Sequence, residues 1–295
     1  MRPKVAIIAP GNMGAGVGRR LVEHQIEVVT SLEGRSAASR RRAHEAGMRQ
    51  ASLDQVTKAD VLLSIVPPGE ALALAKALAP RLAAQRSGTL YVDCNAVSPR
   101  TVKEICEVLK GVDFVDAGII GLPPRPGEQG PSFYASGNAA RRFAELSRYG
   151  LSIKLLDAPI GAASALKMSY AGITKGLSGL AAAMLLAASR EGAAEALRAE
   201  LQESQPALLA RFSKALPQMY SKAYRWVAEM EEIAEFLADD EAAASMFRGL
   251  AQLYQRLAAD YRAERGEITA IETFLSAEQR ASEPSAKIAQ GAKAR

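Results

Sequence analysis

The stretch MRPKVAIIAPGNMGAGVG (1–18) decides the fold. Lys4 to Ile8 form a short, mostly apolar run that reads as a strand, a glycine-rich turn follows, and a helical pattern opens at Asn12. Strand, glycine turn and helix N-terminus in that order make a cradle for a dinucleotide pyrophosphate, because free backbone N–H groups and the positive helix end point at the phosphates. The usual fingerprint is Gly-x-Gly-x-x-Gly, and here its first glycine is Ala9 while Gly11 and Gly14 remain. The first glycine eases a turn, whereas the other two allow close approach to the pyrophosphate and tight helix–strand packing. A working loop is therefore expected, with Gly11, Asn12, Met13 and Gly14 touching the cofactor.

Outward from that loop, short β-type runs alternate with helical stretches as far as residue 160. The strand candidates are 4–8, 26–31, 60–66, 89–94, 112–117, 132–136 and 151–156, with helices over 12–24, 37–47, 69–84, 99–110 and 138–149. Continuous Val/Ile/Leu strands separated by helices indicate a mostly parallel sheet covered on both faces, a Rossmann-like, doubly wound α/β domain. After Gly161 the strand signals stop. The expected organisation is a dinucleotide-binding domain over 1–160, a long connecting helix over 161–190, an all-α domain over 191–280 broken at Pro206 and Pro217, and a loose polar tail over 281–295.

Composition narrows the function classes. A chain of 295 residues with 48% apolar and 23% charged residues has the make-up of an ordinary globular protein with room for two cores. Its net charge of +5 comes from scattered arginines nearly balanced by acids, which argues against nucleic acid and suits a polyanionic cofactor. Cys94 and Cys106 have no metal spacing and imply a reducing compartment. With no export signal read at the N-terminus, the expectation is a cytoplasmic protein. The uncharged run at 176–189 is shorter than the roughly 20 residues of a membrane span, so a buried helix and no membrane association are expected. Glu229, Glu231, Glu232 and Glu235 are spread around a helix and read as solvated rather than as metal ligands, while Trp226, Met230, Ile233 and Leu237 recur at core or dimer-face spacing.

The end of the second strand, VVTSLEGRSAASRRRA (28–43), bears on the cofactor type. Ser31, Arg35 and Ser36 together can clamp a 2′-phosphate by charge, hydroxyl and helix N-terminus, which favours NADP; Glu33 argues for NAD. Arg40, Arg41 and Arg42 read as a solvated helix face. For the chemistry, His24 and His44 lie in the first two helical stretches, away from the expected cleft, and no nucleophile triad is visible. In the connecting helix, Lys167, Tyr170, Thr174 and Ser178 form a polar line at helical spacing. A lysine in a dry cleft beside a cationic nicotinamide has the lowered proton affinity an acid/base group needs.

Five segments in order resemble the β-hydroxyacid dehydrogenases, the group of 3-hydroxyisobutyrate and 6-phosphogluconate dehydrogenases: the loop Ala9 to Gly14, SIVPP (64–68), DCNAVSP (93–99), DAGIIGL (116–122) and GAASALK (161–167). The resemblance implies that Lys167 is the catalytic lysine, that Val66, Pro67 and Asn95 line the cofactor, and that helical domains pair in a homodimer. The family's substrate-holding residues fall on Asn95, Ala96, Ile120, Gly121 and Leu122, and the asparagine one turn after its lysine falls on Ala171, beside Tyr170. The groups that hold a small carboxylate are thus largely absent. The sequence reading is an NADP-dependent oxidoreductase acting on a hydroxy-acid or other alcohol/carbonyl substrate, with Ile120 and Leu122 suiting a bulkier or less charged one. Lys167 would be the acid/base, with Asn95 and Tyr170 orienting the substrate oxygen. The alternatives are imine reduction and a non-catalytic NADP-binding sensor or scaffold.

Overall fold

The computed structural model describes residues 2–84 and 88–281. The expected tail lies outside the described residues except for Ala281. In chain order the described elements are β1 (Lys4–Ile8), α1 (Asn12–Glu23), β2 (Glu27–Thr30), α2 (Ala37–Glu45), β3 (Arg49–Gln50), α3 (Leu53–Val56), β4 (Val61–Ser64), α4 (Pro68–Ala83), β5 (Leu90–Asp93), α5 (Pro99–Val108), β6 (Asp113–Ile120), β7 (Ser132–Ser136), α6 (Ala140–Ala144) and β8 (Ser152–Leu155). The helical remainder is α7 (Ala162–Arg190), α8 (Ala194–Ser204), α9 (Pro206–Met219), α10 (Ala223–Phe236), α11 (Glu241–Arg262) and α12 (Gly266–Ala281). Packing divides the chain into two units, residues 1–171 with 232–244, and residues 172–231 with 245–295. The division falls inside α7 rather than at residue 160, and the end of α10 returns to the first unit.

The first unit is built on one sheet in the order β3-β2-β1-β4-β5-β6-β7-β8, parallel at every pairing except β6 with β7. Alternate strand residues face opposite layers, so both faces are apolar. Val5, Ile7, Leu63, Val92 and Val115 pack in one core with Val17 and Leu21 of α1 and Phe143 of α6. Ala6, Ile8, Leu62 and Tyr91 pack in the other with Leu78 of α4 and Val102 and Ile105 of α5. The chain reverses its winding between β1 and β4, and in a doubly wound sheet that switch point is where ligands bind.

In the second unit, α9, α11 and α12 bury Leu209, Phe212, Leu216, Tyr254, Leu257, Ile268, Ile271 and Phe274. Lys175 forms a part-buried ion pair with Glu229 and lies 5.2 Å from the centre of the Trp226 ring, which meets Tyr254 edge-on. The Tyr254 hydroxyl donates to the Lys175 carbonyl at 2.5 Å. Glu229 is therefore paired rather than solvated.

Several expectations need correction. β3 and α3 are not among the expected elements: Arg49 and Gln50 are both exposed, and α3 is a single turn held by a capping box between Ser52 and Gln55. The helix expected over 138–149 is a short α-helix that tightens to a 3-10 turn at Glu145–Tyr149. The break expected at Pro206 is present, where α8 ends and α9 starts, whereas Pro217 breaks nothing and sits inside the last turn of α9. The apolar run at 176–189 belongs to a helix of 29 residues whose best window has a mean hydropathy of 1.4, so by length and composition α7 could cross a membrane. Ala181, Ala182, Leu185 and Leu186 of that helix are buried, as in a core helix, whereas Ile173, Leu180 and Met184 are exposed.

Candidate nucleotide and catalytic site

Sheet register brings the candidate residues to one edge. Ile8, Ser64, Asp93 and Asp116 are successive partners across β1, β4, β5 and β6, so the segments leaving these strands sit side by side. In the first of them, Ala9 N–H donates to the Ile65 carbonyl at 3.0 Å, and Gly11 N–H donates to the Ala9 carbonyl at 2.8 Å. Gly14 is pressed against that turn: a Cβ there would lie 2.1 Å from the Ala9 oxygen, closer than any side chain allows. Gly11 is different. A Cβ there would meet nothing within 4 Å, so its Cα faces open space. Helix α1 has no side-chain cap at Gly11 and no acid in its first turn, which leaves its N-terminal N–H groups and positive end for an anion. An open glycine and an uncapped helix start fit a dinucleotide pyrophosphate. Asn12 is exposed and Met13 half-buried at this start.

At the end of β2, Ser31 is buried and Ser36 caps α2, accepting from Ser39 N–H at 3.3 Å. The half-buried Arg35 forms a loose ion pair with Glu70 at 3.9 Å, beyond direct hydrogen-bond distance. Arg42 does not belong to a solvated face. Its Nε donates to the Pro10 carbonyl at 3.2 Å and its Nη2 to Ser39 Oγ at 3.0 Å, tying α2 to the glycine turn.

Asn95 also departs from expectation. It is buried, its Oδ1 accepts from Val66 N–H at 2.7 Å, and its Nδ2 donates to Ser64 Oγ and Asp93 Oδ2, both at 2.9 Å. Both amide donors are consumed inside the protein, so Asn95 does not orient a substrate oxygen. It holds the Val66–Pro67 segment against the end of β5. Ala96 is half-buried beside it. Below lies Asp93, accepting from Asn95 N–H at 3.1 Å. Burial pushes its carboxyl up to about 7, helped by the neighbouring Asp116 charge and opposed by the Asn95 hydrogen bonds. Burial, with those carboxylates nearby, also raises the Cys94 thiol well above its ordinary value, so Cys94 is no thiolate nucleophile.

Lys167 lies on α7 where the helix crosses β6. Gly118 permits that crossing: a Cβ there would be 2.8 Å from the Ala163 carbonyl oxygen and 3.1 Å from the Lys167 Cβ. Lys167 is half-buried, and Tyr170, one turn on, is 51% exposed. Ser178, at the far end of the expected polar line, is buried and donates back to the Thr174 carbonyl at 3.1 Å, so it is a helix-internal contact. Past Asp116 on β6, Ile120 is half-buried, Gly121 exposed and Leu122 68% exposed. The return of α10 supplies a contact that composition alone misreads. Glu232 Oε2 accepts from Ser98 N–H at 2.7 Å, and Glu235 pairs with Arg100 at 2.9 Å, so neither is simply solvated. No group of three or more His, Cys, Asp or Glu suited to a metal occurs among the described residues.

Comparison with known proteins agrees with this geometry. Residues 4–163 match the model of the NAD-binding domain of 6-phosphogluconate dehydrogenase, and residues 188–257 match a domain of unknown function, DUF1932. An uncharacterized 28.5 kDa protein of Methanothermus fervidus is 30% identical over 183 residues, covering 61% of this chain and 69% of that protein. A solved conserved protein of unknown function, described as structurally similar to 3-hydroxyacid dehydrogenases, is 32% identical with a TM-score of 0.66, covering 88% of this chain and 98% of its own. A 3-hydroxyisobutyrate dehydrogenase from Mycobacterium tuberculosis, solved with L-serine, shares the fold at 20% identity and a TM-score of 0.72, over 92% of this chain and 99% of that one.

Proposed function

Because the chain belongs to the β-hydroxyacid dehydrogenase family of NAD(P)-dependent oxidoreductases, we propose that it is an NADP-dependent enzyme that interconverts an alcohol and a carbonyl, with Lys167 as general acid/base. The observation that supports the reading is the close crossing of α7 over Gly118, with the Lys167 Cβ against β6 two residues past Asp116. When bound, the nicotinamide supplies or accepts a hydride at its C4. Gly11, Asn12, Met13 and Gly14 would hold the pyrophosphate, Arg35 and Ser36 the 2′-phosphate, and Val66 and Pro67 would flank the nicotinamide. Lys167 Nζ would give a proton to the carbonyl oxygen during reduction and take it back from the hydroxyl during oxidation. Tyr170 would orient that oxygen.

The substrate class follows from what lines the rest of the edge. Ile120 and the exposed Leu122 offer no donors to a carboxylate, and the Asn95 amide is internally bound. A substrate bulkier or less charged than a small 3-hydroxy acid fits such a wall. The exposed Ile173, Leu180 and Met184 at helical spacing on α7 support a homodimer. A reducing, cytoplasmic setting suits the unbridged Cys94 and Cys106.

The test is a fluorescence titration with NADPH and NADH, followed by NADPH-coupled turnover of aldehydes, keto acids and imines by the parent and Lys167→Met proteins. Tight NADPH binding, with carbonyl turnover that collapses in Lys167→Met while binding persists, supports the reading. Turnover of imines alone would replace it with C=N reduction. Binding without any turnover would make the protein a sensor, and absence of binding would remove the nucleotide reading altogether.

A further inference from the structure

A row of buried polar side chains crosses the sheet at this same edge. Ser64, Asp93, Asp116 and Ser136 are register partners on β4, β5, β6 and β7, and all four are buried. Four polar residues in line inside an apolar sheet need partners, since an unpaired buried carboxylate is costly. The partners lie at the two ends of the row. At the β4 end, Ser64 and Asp93 hold Asn95, which holds the backbone of Val66. At the β7 end the partner is the start of α7. Asp116 Oδ2 accepts from Gly161 N–H at 2.9 Å, from Ser164 N–H at 3.1 Å and from Ser136 Oγ at 3.0 Å, while Oδ1 accepts from Ser164 Oγ at 2.7 Å. Ser136 Oγ in turn accepts from Ala163 N–H at 3.2 Å.

Helix α7 has no acid in its own first turn, so its N-terminal carboxylate is borrowed from a strand more than 40 residues earlier. Asp116 and Gly118 lie on the same face of β6, two residues apart. One clamps residues 161–164 and the other seats Ala163 and Lys167. A slip of α7 by one residue would turn Lys167 by about 100° and carry it about 1.5 Å along the axis. The clamp at the first turn prevents such a slip.

We propose that Asp116, with Ser136, is a positioning residue for Lys167, and that the row sets the lysine helix and the Val66 segment from one rigid base. The proposal rests on Lys167 as the working lysine, but its test reads placement, not turnover. Lysine carbons are labelled with 13C next to Nζ, and the Lys167 signal is identified by its loss in Lys167→Met. In Ser136→Ala and Asp116→Ala the Lys167 signal should move, while the Lys175 signal, farther along α7, stays in place. Asp116→Asn keeps an oxygen for the backbone donors and should restore most of the parental signal. NADPH affinity should change less than threefold throughout. A Lys167 signal unchanged in Ser136→Ala and in any folded Asp116→Ala overturns the proposal, as does equal movement of Lys167 and Lys175. If Lys167→Met retained full turnover, the proposed chemistry would fall while the positioning result stood.

Discussion

Replacing Asp93 by Asn should change how stability depends on pH, and the size of the change can be worked out. Asp93 is buried at the end of β5, and its folded-state pKa of about 7 lies above its ordinary value of 3.8. A carboxyl whose folded pKa is raised binds its proton more tightly folded than unfolded, so stability falls as pH rises between those two values. From pH 5 to pH 8 the folded state loses its proton while the unfolded state has already lost it. With 1.36 kcal/mol per pKa unit, this one group costs about 2.5 kcal/mol over that interval. The amide in Asp93→Asn cannot titrate. Relative to the parent with Asp93 protonated, that variant loses about 1 kcal/mol, independent of pH, because the new N–H₂ group turns toward the Asn95 Nδ2 from which Asp93 Oδ2 accepts in the parent. Urea unfolding of both proteins at pH 5 and pH 8, followed by circular dichroism, measures the difference. The parent should start ahead of Asp93→Asn at pH 5 and lose about 2.5 kcal/mol more than it by pH 8. If the two proteins show the same change within about 0.5 kcal/mol, Asp93 is ionised throughout and the argument from burial is wrong.

Other substitutions separate the parts of the site. Gly14→Ala drives a methyl into the Ala9 carbonyl and should abolish NADPH binding with a lowered Tm, whereas Gly11→Ala points into open space and should weaken NADPH with Tm nearly unchanged; a titration and a melt on each variant decide this. Arg35→Ala should weaken NADPH by about 10- to 100-fold, the worth of one or two charge-assisted hydrogen bonds, and leave NADH alone; equal losses for both would refute a 2′-phosphate contact. Asn95→Ala strands the Val66 N–H and should cost about 1–3 kcal/mol of stability. In the same variant NADPH affinity should fall, and a melt with a parallel titration reads both effects. Ile173→Lys with Leu180→Lys should convert a dimer to a monomer by sedimentation, and an unchanged mass would place any interface elsewhere.

What could be read from the chain follows the physics of each feature. The seven expected strands were legible, most plainly β1, β4 and β5, because a parallel sheet buried on both faces needs apolar runs, and those are visible as runs. β3 was not legible, since Arg49 and Gln50 are exposed edge residues with no apolar pattern. The division within α7 was invisible for the opposite reason: the helical pattern continues without a break past Ala171 and Gly172. Asn95 was found but given the wrong task, because residue type reveals donors and acceptors and not where they point. The row from Ser64 to Ser136 was the least legible feature. Its members lie 20 to 72 positions apart, and only sheet register aligns them. The available signal was an Asp closing an apolar strand run, which occurs at both Asp93 and Asp116 and implies buried partners.

This arrangement also explains how the site can keep a lysine while departing from the family's substrate segments. The groups that seat Lys167 are Asp116, Gly118, Ser136 and the first turn of α7, all inside the first unit and directed at backbone. Of the positions that depart, Ala96 and Ile120 to Leu122 lie at strand ends and loops and make none of those contacts, whereas Asn95 is tied to Ser64 and Asp93 at the β4 end of the row. Substitution at the second set therefore changes what the edge can accept without moving the lysine. On the proposed reading, the acid/base chemistry and the substrate wall are separable in this fold, because one is anchored to the sheet interior and the other only borders it.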